Sequence, residues 1–164
     1  MEQVDNVVVE ERKDVVQHII YLLDSSKGMF EPVNKHKAAI DRINKELRQL
    51  PAGYILSVYE FGEEARWRRK KRTSYEPLGY RKKHMGKSSL NDSIYPILKQ
   101  ITKFKNKATI KIVTNGKDEY SCVTTNDDIR EVIAQLRKQG HSVSFIGTEE
   151  DVNISLKNYG VSIK

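Results

Sequence analysis

The chain has 164 residues, 38% of them hydrophobic and 31% charged, and a formal net charge of +7. This is the composition of a folded globular protein of one domain, and no apolar run approaches the ~20 residues that span a bilayer. One cysteine, Cys122, excludes an intramolecular disulfide.

In chain order, the acidic, mixed stretch before residue 15 is unlike a secretory signal. Together with the lone cysteine it points to a reducing cytoplasm. Ile19 to Leu23 then read as a strand buried on both faces, carrying Asp24 to its carboxyl end. Open α/β sheets place their ligand crevice at that end. Asp24 and Ser26 present oxygen donors in a tight loop, the donor type that a hard dication takes.

Pro32 suits a helix start, and Val33, Ile40, Ile43, Leu47 and Leu50 fall on one helical stripe. Residues 54–61 read as a second strand. In 63–73, Ala65 and Trp67 alternate with arginines, a short charged strand hairpinned onto the second. A loop runs to about residue 87. The next helix carries Leu90, Ile94, Ile97, Leu98, Ile101 and Phe104 inward, with Ser89 and Asp92 spaced as a capping box and Pro96 inside. Residues 108–113 are a third central strand, 125–140 a helix capped by Thr125 or Asn126, and 141–147 the last long strand. A short helix and an edge strand at 161–163 complete the pattern. The order β-α-β-β-α-β-α-β-α implies an α/β three-layer sandwich. Its sheet is doubly wound and mostly parallel, with one short antiparallel edge strand.

The positive charge is concentrated. Residues 66–84 hold nine Lys/Arg and one acid: Arg66, Arg68, Arg69, Lys70, Lys71, Arg72, Arg81, Lys82 and Lys83 against Glu76. Trp67, Tyr75 and Tyr80 are interleaved. Such a cassette can neutralise phosphates while aromatics stack on bases, dock an acidic protein, or protect a sheet edge from aggregation. Residues 79–88 imitate a phosphate loop, but six residues separate the two glycines where the motif has four. His18, His36, His84 and His141 show no metal-ligand spacing, and Cys122 has no base near it in sequence.

The loop "DSSKGM" at 24–29 resembles "DxSxS", the first metal loop of von Willebrand factor A (vWA) domains, with Gly28 where the second serine stands. "MGKSSLNDSI" is similar to the second loop, with Ser88 at its threonine. "IKIVTNGKDE" is similar to the third, with Asn115 at its aspartate. "VSFIG" resembles the strand that follows, and "GMFEPVNKHKAAID" resembles short prokaryotic vWA proteins of the tellurium-resistance type.

The chain is read as one vWA-like domain over 1–164, with the basic cassette at 66–84 as an insertion outside the family pattern. The resemblance covers roughly residues 18–160 and implies a vWA-like fold. It also implies a metal-ion-dependent adhesion site of Asp24, Ser26, Ser88 and Asn115 that takes Mg²⁺ or Mn²⁺ and a partner's carboxylate. The expected protein is a non-catalytic binding module for an acidic protein partner. The alternatives are nucleic-acid binding through the cassette, and a metal-free structural adaptor in which Asp24 and Ser26 serve as turn residues. Tyr120 and Asp118 lie near the third loop and could border the binding surface.

Overall fold

The computed structural model describes residues 8–12, 14–63, 65–72 and 77–160, the side chains of 65–72 excepted. Five strands form one sheet in the order β3-β2-β1-β4-β5. They are β1 (Gln17–Asp24), β2 (Tyr54–Phe61), β3 (Ala65–Arg72), β4 (Ala108–Val113) and β5 (Ser142–Ile146). β2, β1, β4 and β5 run parallel, and β3 lies antiparallel against β2 as an edge strand. The helices are α1 (Lys35–Arg48), α2 (Leu90–Ile101), α3 (Asn126–Lys138) and α4 (Glu149–Tyr159).

β1 lies at the centre because nearly all of it is apolar. Its side chains alternate between two cores. Ile20 and Leu22 join Ile110, Ile112, Ile94, Ile97, Ile129 and Ile133 beneath α2 and α3. Tyr21 and Leu23 join Leu56, Val58, Ile40, Ile43 and Leu47 beneath α1. Each fully buried side chain of this size contributes about 1.5–3 kcal/mol. These apolar contacts hold both helical layers to the sheet and fix its carboxyl end in place. α4 does not descend along the sheet. It crosses the carboxyl edge, where Asp151 pairs with Lys35 of α1 at 2.9 Å. Asn158 Nδ2 donates to Gly116 O at 2.8 Å, and the Tyr159 hydroxyl donates to Asn91 Oδ1 at 2.7 Å. No helix among the described residues is long and apolar enough to cross a membrane.

Three local expectations are corrected. α1 begins at Lys35, not at Pro32, because Asn34 accepts from Lys37 N at 2.9 Å and sets the first turn. Val33 therefore precedes the helix, off the inward stripe, and is 63% exposed. Ser89 and Asp92 do not form a capping box. The Ser89 hydroxyl donates to Gly62 O at 2.6 Å, and Asp92 accepts backbone N–H groups of the 122–124 loop instead. Tertiary partners outcompete the local cap at that helix end. Thr125 caps α3 with Asp128 in a reciprocal box. The edge strand expected at 161–163 lies outside the described residues.

Candidate functional site

β1 connects through α1 to β2 on one side, and β4 connects through α3 to β5 on the other. The gap between the carboxyl ends of β1 and β4 is the topological switch point, where such sheets bind ligands. Asp24 stands there, fully buried. Its Oδ2 accepts from Thr114 Oγ1 at 2.6 Å and from Ser88 Oγ at 3.3 Å, and its Oδ1 accepts from Ser26 N at 3.0 Å. Burial pushes the carboxyl pKa up, and these hydrogen bonds oppose the rise by favouring the charged form. Ser26 Oγ also lies close enough to favour the Asp24 charge, and it is buried with no hydrogen-bond partner among the described residues.

Three of the four expected ligand residues thus converge. Asn115 sits at the mouth, with its Oδ1 accepting from Lys117 N at 3.0 Å. Thr114 is the group that the sequence reading passed over, although it directly precedes Asn115. The two departures from the family pattern are coupled in space. A Cβ on Gly28 would lie 2.7 Å from Asn115 Nδ2, so the carboxamide occupies the room that a side chain at 28 would need. The donors suit a hard cation in kind, namely one carboxylate, a buried unpartnered hydroxyl and a second hydroxyl. They carry only one formal negative charge; Lys27, Lys87 and Lys117 are exposed on the same loops, alongside Glu119, whose Oε1 accepts from Ser88 N at 3.4 Å. Among the described residues there is no cluster of three His, Cys, Asp or Glu that could hold a metal.

Beside this crevice a second polar network was not anticipated. Ser25 Oγ lies 2.8 Å from His36 Nε2 and donates to Glu60 Oε2 at 2.8 Å. Arg81 Nε donates to both Glu60 oxygens, at 3.2 and 3.1 Å. Glu60 is 1% exposed, a carboxylate in a strand that is apolar but for Ser57, and a buried charge requires such partners. The acid inside "YILSVYEF" was the available signal. Phe30 stacks on His36 with ring centroids 4.6 Å apart.

Arg81 was expected on a free basic surface. It turns inward and ties the segment 77–87 down as a strap over α1 and the strand ends. The strap is held along its length. Leu78 exchanges hydrogen bonds with the Asn44 side chain at 2.8 and 2.9 Å, and the Tyr80 hydroxyl donates to Asp41. Met85 N donates to Ser25 O at 2.7 Å, and Lys27 N donates to Gly86 O at 2.8 Å. Gly62 permits this closeness, since a Cβ there would lie 2.3 Å from Met85 O. Lys82 and Lys83 remain exposed on the strap. Arg66, Arg68, Arg69, Lys70, Lys71 and Arg72 lie on β3, paired to β2 from Leu56↔Arg72 to Phe61↔Ala65, with their side chains outside the described residues.

The third loop is rigidly built. Asp118 accepts from Asn91 N, Tyr120 N and Ser121 N at 2.9 to 3.1 Å, and Tyr120 N also donates to Ser88 O at 2.9 Å. Tyr120 is left 47% exposed and Val123 84% exposed on this rim.

No family model matches the chain, and no curated protein does. Solved structures do. TRAP from Plasmodium vivax, in a manganese-loaded form, superposes with a TM-score of 0.64 at 12% identity, over 90% of this chain and 64% of that one. BatB from Bacteroides thetaiotaomicron gives 0.57 at 15% identity, over 88% and 87%. The ArnB paralog VWA2 from Sulfolobus acidocaldarius gives 0.57 at 15%, over 88% of this chain but only 43% of that one. The fold is that of a von Willebrand factor A domain. At these identities the likeness shows the fold and leaves activity and partners to the site itself.

Proposed function

We propose that this vWA-fold chain is a binding module, not a catalyst. In this reading it takes a carboxylate from an acidic protein partner at the carboxyl end of its sheet, assisted by a weakly held divalent cation. The observation that carries the reading is the buried Asp24 with the hydroxyls of Ser26 and Ser88 around it, Ser26 Oγ being buried and without a hydrogen-bond partner among the described residues. Asp24, Ser26 and Ser88 would hold Mg²⁺ or Mn²⁺, with Asn115 at the mouth. Such an ion supplies an open coordination position for a carboxylate oxygen. TRAP, of the same fold, is described manganese-loaded. Lys27, Lys87 and Lys117 weaken the hold on a cation but attract an acidic partner, which gives the rim its role in steering. The Ser25–His36–Glu60 trio has the residue types of a hydrolytic triad, but all three are buried at 0–1% exposure and support the strap instead. The exposed Cys122 fits a reducing cytoplasm.

Calorimetric titration with Mn²⁺ tests this. Saturable binding in the millimolar range, lost in Asp24→Ala, supports the site. Absence of heat and of any melting shift refutes the metal-assisted reading. A second reading, polyanion binding through β3 and the exposed Lys82 and Lys83, is favoured by the charge concentrated there. It requires affinity for nucleic acid that falls steeply with salt. A metal-free adaptor would bind its partner equally well in EDTA.

A further inference from the structure

We infer that the amino end of the sheet carries a second site, a pocket for a small organic anion with a flat apolar body. It lies at the starts of β1 and β4, at the end of the strands opposite Asp24, and does not depend on the function proposed above. The cavity measures about 440 Å³, and its walls include Arg12, Val15, His18, Phe104, Lys105 and Lys107. That volume is in the lower part of the range of about 300–1,000 Å³ typical of small-molecule sites.

The lining selects for negative charge. Arg12, Lys105 and Lys107 face one carboxylate, Glu11. Glu11 is already engaged, because its Oε2 accepts from Lys105 N at 2.9 Å and Asn106 N at 2.7 Å. Those bonds also fasten the N-terminal segment as one wall of the cavity. Arg12 is bound to Asp14 at 3.1 and 3.0 Å, whereas Lys105 and Lys107 make no ion pair among the described residues.

The second, independent observation is His18. It is 5% exposed, its Nε2 lies 2.9 Å from Ser57 Oγ, and its Nδ1 is buried with no hydrogen-bond partner among the described residues. A buried polar atom left unpaired costs about 1–3 kcal/mol. Burial, reinforced by the nearby Arg12 charge, lowers the His18 pKa to about 4, so the ring is neutral at neutral pH. Where Ser57 donates to Nε2, Nδ1 carries the ring proton, and a ligand oxygen would supply its acceptor. Phe104 stacks against His18 with centroids 6.4 Å apart and an interplanar angle of 18°. With Val15 and Ala108 it gives a floor suited to a ring. An aromatic carboxylate matches both halves of this lining.

Benzoate is the probe, with benzamide as its neutral counterpart, followed by NMR of the His18 imidazole and by thermal melts. Benzoate at millimolar concentration should shift the His18 and Phe104 signals and raise the melting temperature, and benzamide should do neither. The surface double variant Lys105→Ala/Lys107→Ala keeps the fold and should weaken benzoate roughly tenfold, the scale expected from two exposed charges. Because benzoate could also reach the carboxyl-end site, the titration is repeated with Asp24→Ala in EDTA, where binding should persist. Equal binding of benzamide, undiminished binding by the lysine variant, loss of binding in Asp24→Ala, or an unmoved His18 signal would each overturn the assignment.

Discussion

Arg81→Ala removes the cation from a carboxylate that has nowhere to go. Glu60 is 1% exposed while the Arg81 side chain is 25% exposed, so water can enter from the arginine side but reaches the carboxylate poorly. Breaking a fully buried pair costs about 3–5 kcal/mol, and the partial access of Arg81 places this one nearer 2–4 kcal/mol. For a chain of this size that corresponds to a fall of about 5–15 °C in Tm. Ser25 and His36 still contact Glu60 and limit the loss. Glu60→Gln alone should cost less, and adding it to Arg81→Ala should recover part of the stability, a coupling on the order of 1–3 kcal/mol. Urea denaturation of the four proteins in the cycle measures this coupling directly. Limited tryptic cleavage at the exposed Lys82 and Lys83 reports whether the strap has lifted, and it should accelerate in Arg81→Ala. A cost under about 1 kcal/mol, or strict additivity of the two changes, would show that the pair does not hold the strap and that the buried charge is satisfied in another way.

The pairing of Gly28 with Asn115 makes the metal site adjustable. Gly28→Ser with Asn115→Asp adds a hydroxyl and a charge, and it should tighten Mn²⁺ at least about tenfold, since ligand charge sets affinity in oxygen sites. Gly28→Ser alone should gain little, because it adds no charge and its Cβ meets the side chain at 115. Calorimetry showing the double variant no tighter than the parent would sink the ligand assignment. His18 titrates near 6.5 when unfolded and at about 4 when folded, so between those values the unfolded chain binds more protons. Stability should therefore be lost as pH falls through that window, by up to about 3 kcal/mol at 1.36 kcal/mol per pH unit. Asp24, whose pKa is raised, acts in the opposite sense and gains stability as pH falls. His18→Gln should flatten the His18 share of this loss, as read by urea midpoints from neutral pH to pH 4. An unchanged slope in the variant would refute the neutral buried imidazole.

The elements and their order were legible in the chain because they follow from periodicity. A run such as Ile19 to Leu23 buries both faces and must be central. The stripe of Ile40, Ile43 and Leu47 can only face a core. The hairpin of β3 onto β2 follows from the same reading, whereas the grouping of Asp24 with Ser88 was implied only by the resemblance of their loops to vWA metal loops. Three features depended on long-range packing and have no local pattern. Ser89 left its capping role because Gly62 O was a closer partner. Arg81 turned inward because Glu60, 21 positions away in sequence, is a buried carboxylate that takes it as a partner. His18 Nδ1 is buried with no hydrogen-bond partner among the described residues, which no local pattern announces.

Sequence determines which residues must leave water, since hydrophobicity and its period are properties of the chain itself. Which polar groups then find one another, and which are left unpaired, is decided only when segments far apart in sequence are packed together and desolvated.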